Sequence, residues 1–171
     1  MMEQNELLID LTSIVKSEGM EIKVNKEYPI EVFSQYDDMP SLQTPVTLTG
    51  TITNHAGNLF LKGELSFTAN FLCDRCLEPF DREYTLPMED TIAREDSGLE
   101  ADEFIPYQHN TVQLTEAIYK CIFAVTLDQQ LCRKDCKGLC SVCGCNRNET
   151  TCNCDDTEID PRLLKLKELL K

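Results

Sequence analysis

The sequence predicts an α+β protein: an antiparallel β-sheet or meander with a few helices and a C-terminal, cysteine-rich, zinc-binding segment. Three observations carry this expectation. From position 46 to position 88 apolar residues alternate with polar ones, as strands with one buried face require. On either side, apolar residues recur at helical spacing. Finally, the chain holds ten cysteines in 171 residues, and eight of them fall into four closely spaced pairs.

The elements follow in order. Residues 5–17 read as a short helix or a mixed opening segment, with Leu7, Leu8, Leu11, Ile14 and Val15 near helical spacing. Short extended stretches are expected at 21–24 and 28–33, then a loop at 36–41. In 46–53, Val46, Leu48 and Ile52 alternate with threonines, and 54–58 supply a turn. In 59–71, Leu59, Leu61, Leu65, Phe67, Ala69 and Phe71 share one face. A third strand, 80–88, repeats the pattern with Phe80, Arg82, Tyr84, Leu86 and Met88. Residues 89–103 set seven acids against Arg94, which reads as a solvated connection or, more sharply, a docking strip for a basic partner. A helix is expected over 112–125, with Leu114, Ile118, Cys121, Ile122 and Val125 as its apolar stripe. A last helix opens with Asp160 as N-cap and Pro161 in the first turn, and its Leu163, Leu166, Leu169 and Leu170 must pack on their own domain or on a partner. The expected organisation is a β-rich core over 1–128 that includes the Cys73–Cys76 tip, a cysteine-rich segment over 129–156, and a C-terminal helix over 157–171, all one continuous domain.

Charge narrows the function classes. Thirty acidic residues against 16 basic ones give a formal net charge of −14. Such a surface repels phosphate backbones and anionic membranes and attracts basic partners. The opening residues are acidic where a secretory signal carries bases, and no apolar run is long enough to span a bilayer. The expected setting is therefore a reducing cytoplasm, where closely spaced cysteines serve as metal ligands more often than as disulfides.

Zinc takes four ligands in a tetrahedron, commonly supplied as two short pairs from separate parts of the chain. Cys73 and Cys76 lie between two expected strands, at a hairpin tip. Cys132, Cys136, Cys140, Cys143, Cys152 and Cys154 follow in a segment with almost nothing apolar around the sulfurs, so burial as small hydrophobes does not explain them. The preferred partition gives Cys73, Cys76, Cys132 and Cys136 to one zinc and Cys140, Cys143, Cys152 and Cys154 to another, leaving Cys121 and Cys145 spare. A single C-terminal site with Cys73 and Cys76 unmetallated is the alternative, as is an iron–sulfur cluster. Catalysis is not expected. A catalytic zinc keeps an open position, the two histidines, His55 and His109, fall in loop contexts, and no phosphate loop or activated nucleophile is present.

These residues carry a resemblance. The strand leading into Leu72, Cys73, Asp74, Arg75 and Cys76, the run from Leu131 to Gly144 with Asn146, Asn148, Cys152 and Cys154, and the closing segment from Ile159 to Leu163 resemble the YceD family of large ribosomal RNA subunit accumulation proteins. The resemblance implies a bacterial or organellar protein needed for accumulation of large-subunit (23S) ribosomal RNA, without known catalytic activity. It also implies a partner in a small basic zinc-ribbon protein of the large subunit or in a pre-ribosomal particle. The family often has proline where Thr126 and Ser141 stand and a small uncharged residue where Cys145 stands, so Cys145 competes for a place in the second site. Two other functions stay open at this point. One is a direct RNA-binding zinc module with Arg75, Arg133, Lys134, Lys137 and Arg147 as phosphate contacts; the other is a thiol redox or metal sensor using Cys73 and Cys76.

Overall fold

Alternation over β4 (Val46–His55) and β5 (Asn58–Leu72) builds the centre of the fold. Val46, Leu48 and Ile52 of β4 and Leu59, Leu61, Leu65, Phe67 and Ala69 of β5 are buried, while the residues between them are half-buried or exposed. The two strands pair antiparallel with Leu48 opposite Leu65 and Ile52 opposite Leu61, so each apolar side chain meets another on the same face. Ala56 and Gly57 close the hairpin with φ of 53° and 89°, a two-residue turn whose twist matches that of the strands.

The computed structural model describes residues 7–94, 97 and 103–154. Two compact units emerge. One comprises the chain up to Phe71 and Phe80–Gln129, and the other comprises Leu72–Pro79 with the chain from Gln130 onward. The Cys73–Cys76 tip thus groups with the cysteine-rich segment, whereas the sequence reading drew it with residues 1–128.

The first unit is mostly β-sheet. To β4 and β5 it adds β1 (Leu8–Asp10), β2 (Glu21–Tyr28), β3 (Ser41–Leu42), β6 (Pro79–Arg94), β7 (Ile105–Gln108) and β8 (Thr111–Gln113). The order is β1-β8-β7-β6-β5-β4-β2, with β3 on β5. The meander is antiparallel in most pairs, but β6 and β7 run parallel, with Ile92 opposite Ile105. Lys26 Nζ donates to the Leu8 carbonyl at 2.7 Å and so links the two end strands β2 and β1. One face carries the core, over which α2 (Thr115–Thr126) lays Ile118 and Ile122. Tyr119 of α2 stacks on Tyr36 with ring centroids 3.9 Å apart.

Among the described residues, helix content is lower than the sequence suggested. Residues 12–15 form a single turn, α1 (Thr12–Val15), and Leu8–Asp10 before it join β8 as a strand. Tertiary pairing overrides the helical spacing of the leucines there. The stretch expected to be extended at 28–33 divides instead. Tyr28 ends β2, and Pro29 starts a 3-10 turn, Ile30–Phe33. The third strand runs on through Glu89 and Asp90 to Arg94 because Ile92 and Ala93 have buried places to fill, so part of the acidic connection is strand. The expected C-terminal helix over 157–171 lies outside the described residues, as do 95–96 and 98–102 of the acidic stretch. Cys121 packs half-buried against the core, and burial raises its thiol pKa.

Asn54 is 2 % exposed and serves two elements. Its Nδ2 donates to the Ile14 carbonyl at 2.7 Å, and its Oδ1 accepts the Gly57 N–H at 2.9 Å. Asn54→Ala leaves both partners without it and is expected to destabilise the fold by about 2–3 kcal/mol, measured by urea denaturation. Tyr28 makes a second test. Its hydroxyl is buried without a partner among the described residues, and burial raises its pKa well above the usual value near 10. The folded state therefore holds this proton more tightly than the unfolded chain does. Its contribution is complete below about pH 10 and is lost as the pH rises further. Tyr28→Phe is expected to flatten that alkaline loss of stability, read from denaturation midpoints, without weakening the fold at neutral pH.

Candidate metal centres

The first centre is built from two segments of the second unit. At the tip joining β5 to β6, the Cys73 N–H donates to the Glu78 carbonyl at 3.0 Å and the Leu77 N–H to the Cys73 carbonyl at 2.9 Å. Leu77 adopts φ of 59° to make this turn. The turn aims the N–H groups of Arg75 and Cys76 at the Cys73 sulfur. The cysteine-rich segment is fastened to the tip by reciprocal bonds. The Asp74 N–H donates to the Gln130 carbonyl at 2.8 Å, and the Gln130 N–H returns to Asp74 Oδ2 at 2.7 Å. Further along, the Leu139 N–H reaches the Arg75 carbonyl at 2.9 Å, and Arg75 Nη1 donates to the Cys136 carbonyl at 3.0 Å. Gly138 lies between these contacts with φ of 71°, and a Cβ there would stand 2.9 Å from the Arg75 carbonyl oxygen. Only glycine satisfies both the conformation and the approach.

This fastening brings Cys73, Cys76, Cys132 and Cys136 together, with their sulfurs all within 4.8 Å of one another. Cys73 Sγ stands 3.7 Å from Cys136 Sγ, and Cys76 Sγ stands 3.7 Å from Cys132 Sγ. Four sulfurs placed about 2.3 Å from one ion in a tetrahedron are about 3.8 Å apart, so the foursome has the spacing of a single-ion site. Sulfurs carrying a multi-iron cluster spread wider.

Electrostatics divides the four. Burial opposes ionisation of Cys73, but the N–H groups of Cys132, Cys76 and Arg75 together pull its thiol down to about 6. Burial likewise opposes Cys136, and the Asn148 carboxamide and the Gly138 N–H outweigh it. Burial and the sulfurs of Cys76 and Cys73 push Cys132 up to about 12. For Cys76 the Glu78 N–H favours the thiolate, yet burial and neighbouring sulfurs leave it raised. Donors thus favour the thiolate at Cys73 and Cys136, while burial and neighbouring sulfurs oppose it at Cys132 and Cys76.

The second centre gathers Cys140, Cys143, Cys145 and Cys152, again all within 4.8 Å. Its knuckle repeats the first tip. The Gly144 N–H donates to the Cys140 carbonyl at 2.9 Å with φ of 72°, where the first tip has Leu77. The Cys143 and Val142 N–H groups pull the Cys140 thiol down to about 6, and Arg147 Nη2 lies 3.6 Å from its sulfur. The sequence reading placed Cys154 in this set and left Cys145 spare. The structure puts Cys145 in the tight foursome, and Cys154, half-buried, is not among its four sulfurs.

The residues expected to contact RNA have other work or other company. Arg75 is directed at the Cys136 carbonyl and Arg147 at the Cys140 sulfur. Arg133 Nε lies 3.7 Å from Asp135, and Lys134 and Lys137 are exposed. Sequence reasoning did not identify Asn148 as a support of the first centre. Its Nδ2 donates to Cys136 Sγ at 3.3 Å, its Oδ1 accepts the Lys137 N–H at 2.9 Å, and Asn146 Oδ1 holds it from behind at 2.8 Å. The only signal was the Asn146–Asn148 spacing, which turn chemistry accounts for equally well.

A family model described as "Large ribosomal RNA subunit accumulation protein YceD" matches residues 61–170, more than half of the chain and both sets of cysteines. The chain belongs to the YceD family. Searches of curated proteins and of solved structures return no significant match. No helix among the described residues is long and apolar enough to cross a membrane.

Because Asn148 orients Cys136 without being a ligand, Asn148→Ala is expected to weaken metal binding at the first centre by about 10–100-fold. Competition with a chromophoric chelator measures this, and an unchanged affinity would remove Asn148 from the centre's support.

Proposed function

We propose that this YceD-family chain is a non-enzymatic factor for large-subunit ribosomal RNA accumulation, acting in the cytoplasm through contacts with a basic ribosomal protein or a pre-ribosomal particle. The observation that carries this reading is the family match over residues 61–170. A net charge of −14 supports a basic partner, since the attraction is long-ranged and needs no base-specific contact.

In this reading two zinc ions are held, one by Cys73, Cys76, Cys132 and Cys136 and one by the second cluster. The all-thiolate donor set and the single-ion spacing favour zinc. Zinc here supplies folding free energy and no open coordination position. Among the described residues the buried apolar side chains of the second unit are those of cysteines, and its loops meet chiefly through hydrogen bonds around the sulfurs. A direct RNA-binding role is less well supported, because two of the five candidate bases are directed at the cysteine loops.

Depletion of the protein is expected to lower mature large-subunit RNA relative to small-subunit RNA, read by electrophoresis of total RNA. An unchanged ratio would overturn the reading. Cys73→Ser is expected to give the same defect with the loss of one zinc per chain, and to leave β4 and β5 folded.

A further inference from the structure

The acidic stretch at 89–103 takes no part in the metal centres, yet it borders a cavity of the first unit at both ends. β6 brings Asp90 to the cavity wall, and the chain returns to that wall at Phe104, directly after Glu103. The cavity holds about 600 Å³, within the range of small-ligand sites. Thr115 and the Glu116–Lys120 pair line it from α2, Gln113 from β8, and Tyr36 from the turn after Phe33. Its polar groups are not used up within the unit. Thr115 is 3 % exposed, and its hydroxyl has no hydrogen-bond partner among the described residues. The Asp90 carboxylate is half-buried and forms no ion pair among them. Burial raises its pKa, and Lys120 offsets this only in part. Lys120 is held by Glu116 at 3.0 Å, one turn back on the helix. Tyr36 stacks on Tyr119 with centroids 3.9 Å apart, which fixes its ring in the wall.

We propose that this cavity receives an arginine side chain of the basic partner, its guanidinium paired with the Asp90 carboxylate and set against the Tyr36 ring. The occupant rests on the reading of a basic partner given above. A guanidinium is planar and carries five N–H donors, so it suits a carboxylate, an aromatic ring and the neutral acceptors of Thr115 and Gln113 together. A lysine ammonium is a compact, strongly hydrated charge and matches fewer of these groups. A divalent cation needs several oxygens close about it, and here the Glu116 carboxylate is already tied to Lys120. An anion would meet two carboxylates and one ammonium. Charge favours the same occupant at longer range. Residues 89–103 carry seven acids against one arginine, so they draw basic chains toward the wall they flank.

The test is calorimetric titration of the full-length protein with capped peptides of one length, rich in arginine, in lysine or in uncharged citrulline. The arginine peptide is expected to bind several-fold more tightly than the lysine peptide and about tenfold or more above the citrulline peptide. Asp90→Asn should weaken the arginine peptide about tenfold or more. It should not lower the urea midpoint, because burial disfavours the charge it removes. Thr115→Val should weaken the peptide several-fold, again without lowering the midpoint, because its hydroxyl has no partner to lose. Glu89→Gln removes a charge from the same strand at an exposed residue outside the cavity, and should change the affinity less than twofold. Wild-type affinity in Asp90→Asn, an equal loss in Glu89→Gln, or equal binding of the arginine and lysine peptides would each overturn the proposal. The RNA ratio on depletion is read separately. A chain that binds the arginine peptide but leaves that ratio unchanged would fail the function reading alone, and the reverse result would fail this inference alone.

Discussion

Four sulfur atoms gathered within 4.8 Å present a conflict that the rest of the second unit exists to resolve. As thiolates they repel one another, and as thiols they leave polarised groups shut away from water. The loops answer with donors. Backbone N–H groups converge on Cys73 and Cys140, a carboxamide converges on Cys136, and a guanidinium reaches Cys140. These donors lower the cost of negative charge at particular sulfurs but do not cancel it at Cys132, Cys145 or Cys154. A cation held among the sulfurs would favour the thiolate at each of them. The turn at Leu77, the glycine at 138 and the Asp74–Gln130 clasp are all consequences of holding sulfurs in that arrangement.

The first unit is held by different physics. Its strands bury one apolar face, and α2 covers part of it. That face was legible because alternation over residues 46–71 admits only one register that buries every leucine. The same reasoning failed at the edges. Leu8 is spaced for a helix with Leu7, Leu11, Ile14 and Val15, but Leu8 and Ile9 pair with Gln113 and Val112 from the far end of the unit, and no local pattern announces a partner about a hundred residues away. The parallel pairing of β6 with β7 was hidden for the same reason. The low helix content follows, because short segments with mixed patterns took the conformation that neighbouring strands offered.

At the cysteines, legibility depended on crowding. The grouping of Cys73 and Cys76 with Cys132 and Cys136 could be read because four sulfurs in two well-separated pairs have few ways to combine. From Cys140 to Cys154 five cysteines occupy fifteen positions, and pair spacing alone does not rank Cys145 against Cys154. The asparagines behind Cys136 were harder still. Their meaning lies in an amide pointing at a sulfur, which a sequence displays only as two polar letters in a loop.

The wide separation of the first pair of ligands from the second has a consequence in time. Partners in this centre stand 56 and 63 positions apart in the chain. At a translation rate of about 5–20 residues per second, Cys73 and Cys76 leave the peptidyl-transferase centre roughly 3–12 s before the residues that complete their site. During that interval the β4–β5 hairpin is free to form, while the tip that follows β5 carries two thiols without their companions. Completion of the centre is therefore a late event in the birth of each molecule. It takes place only when a second stretch of chain, still inside the exit tunnel while the first is outside, has come through to meet it.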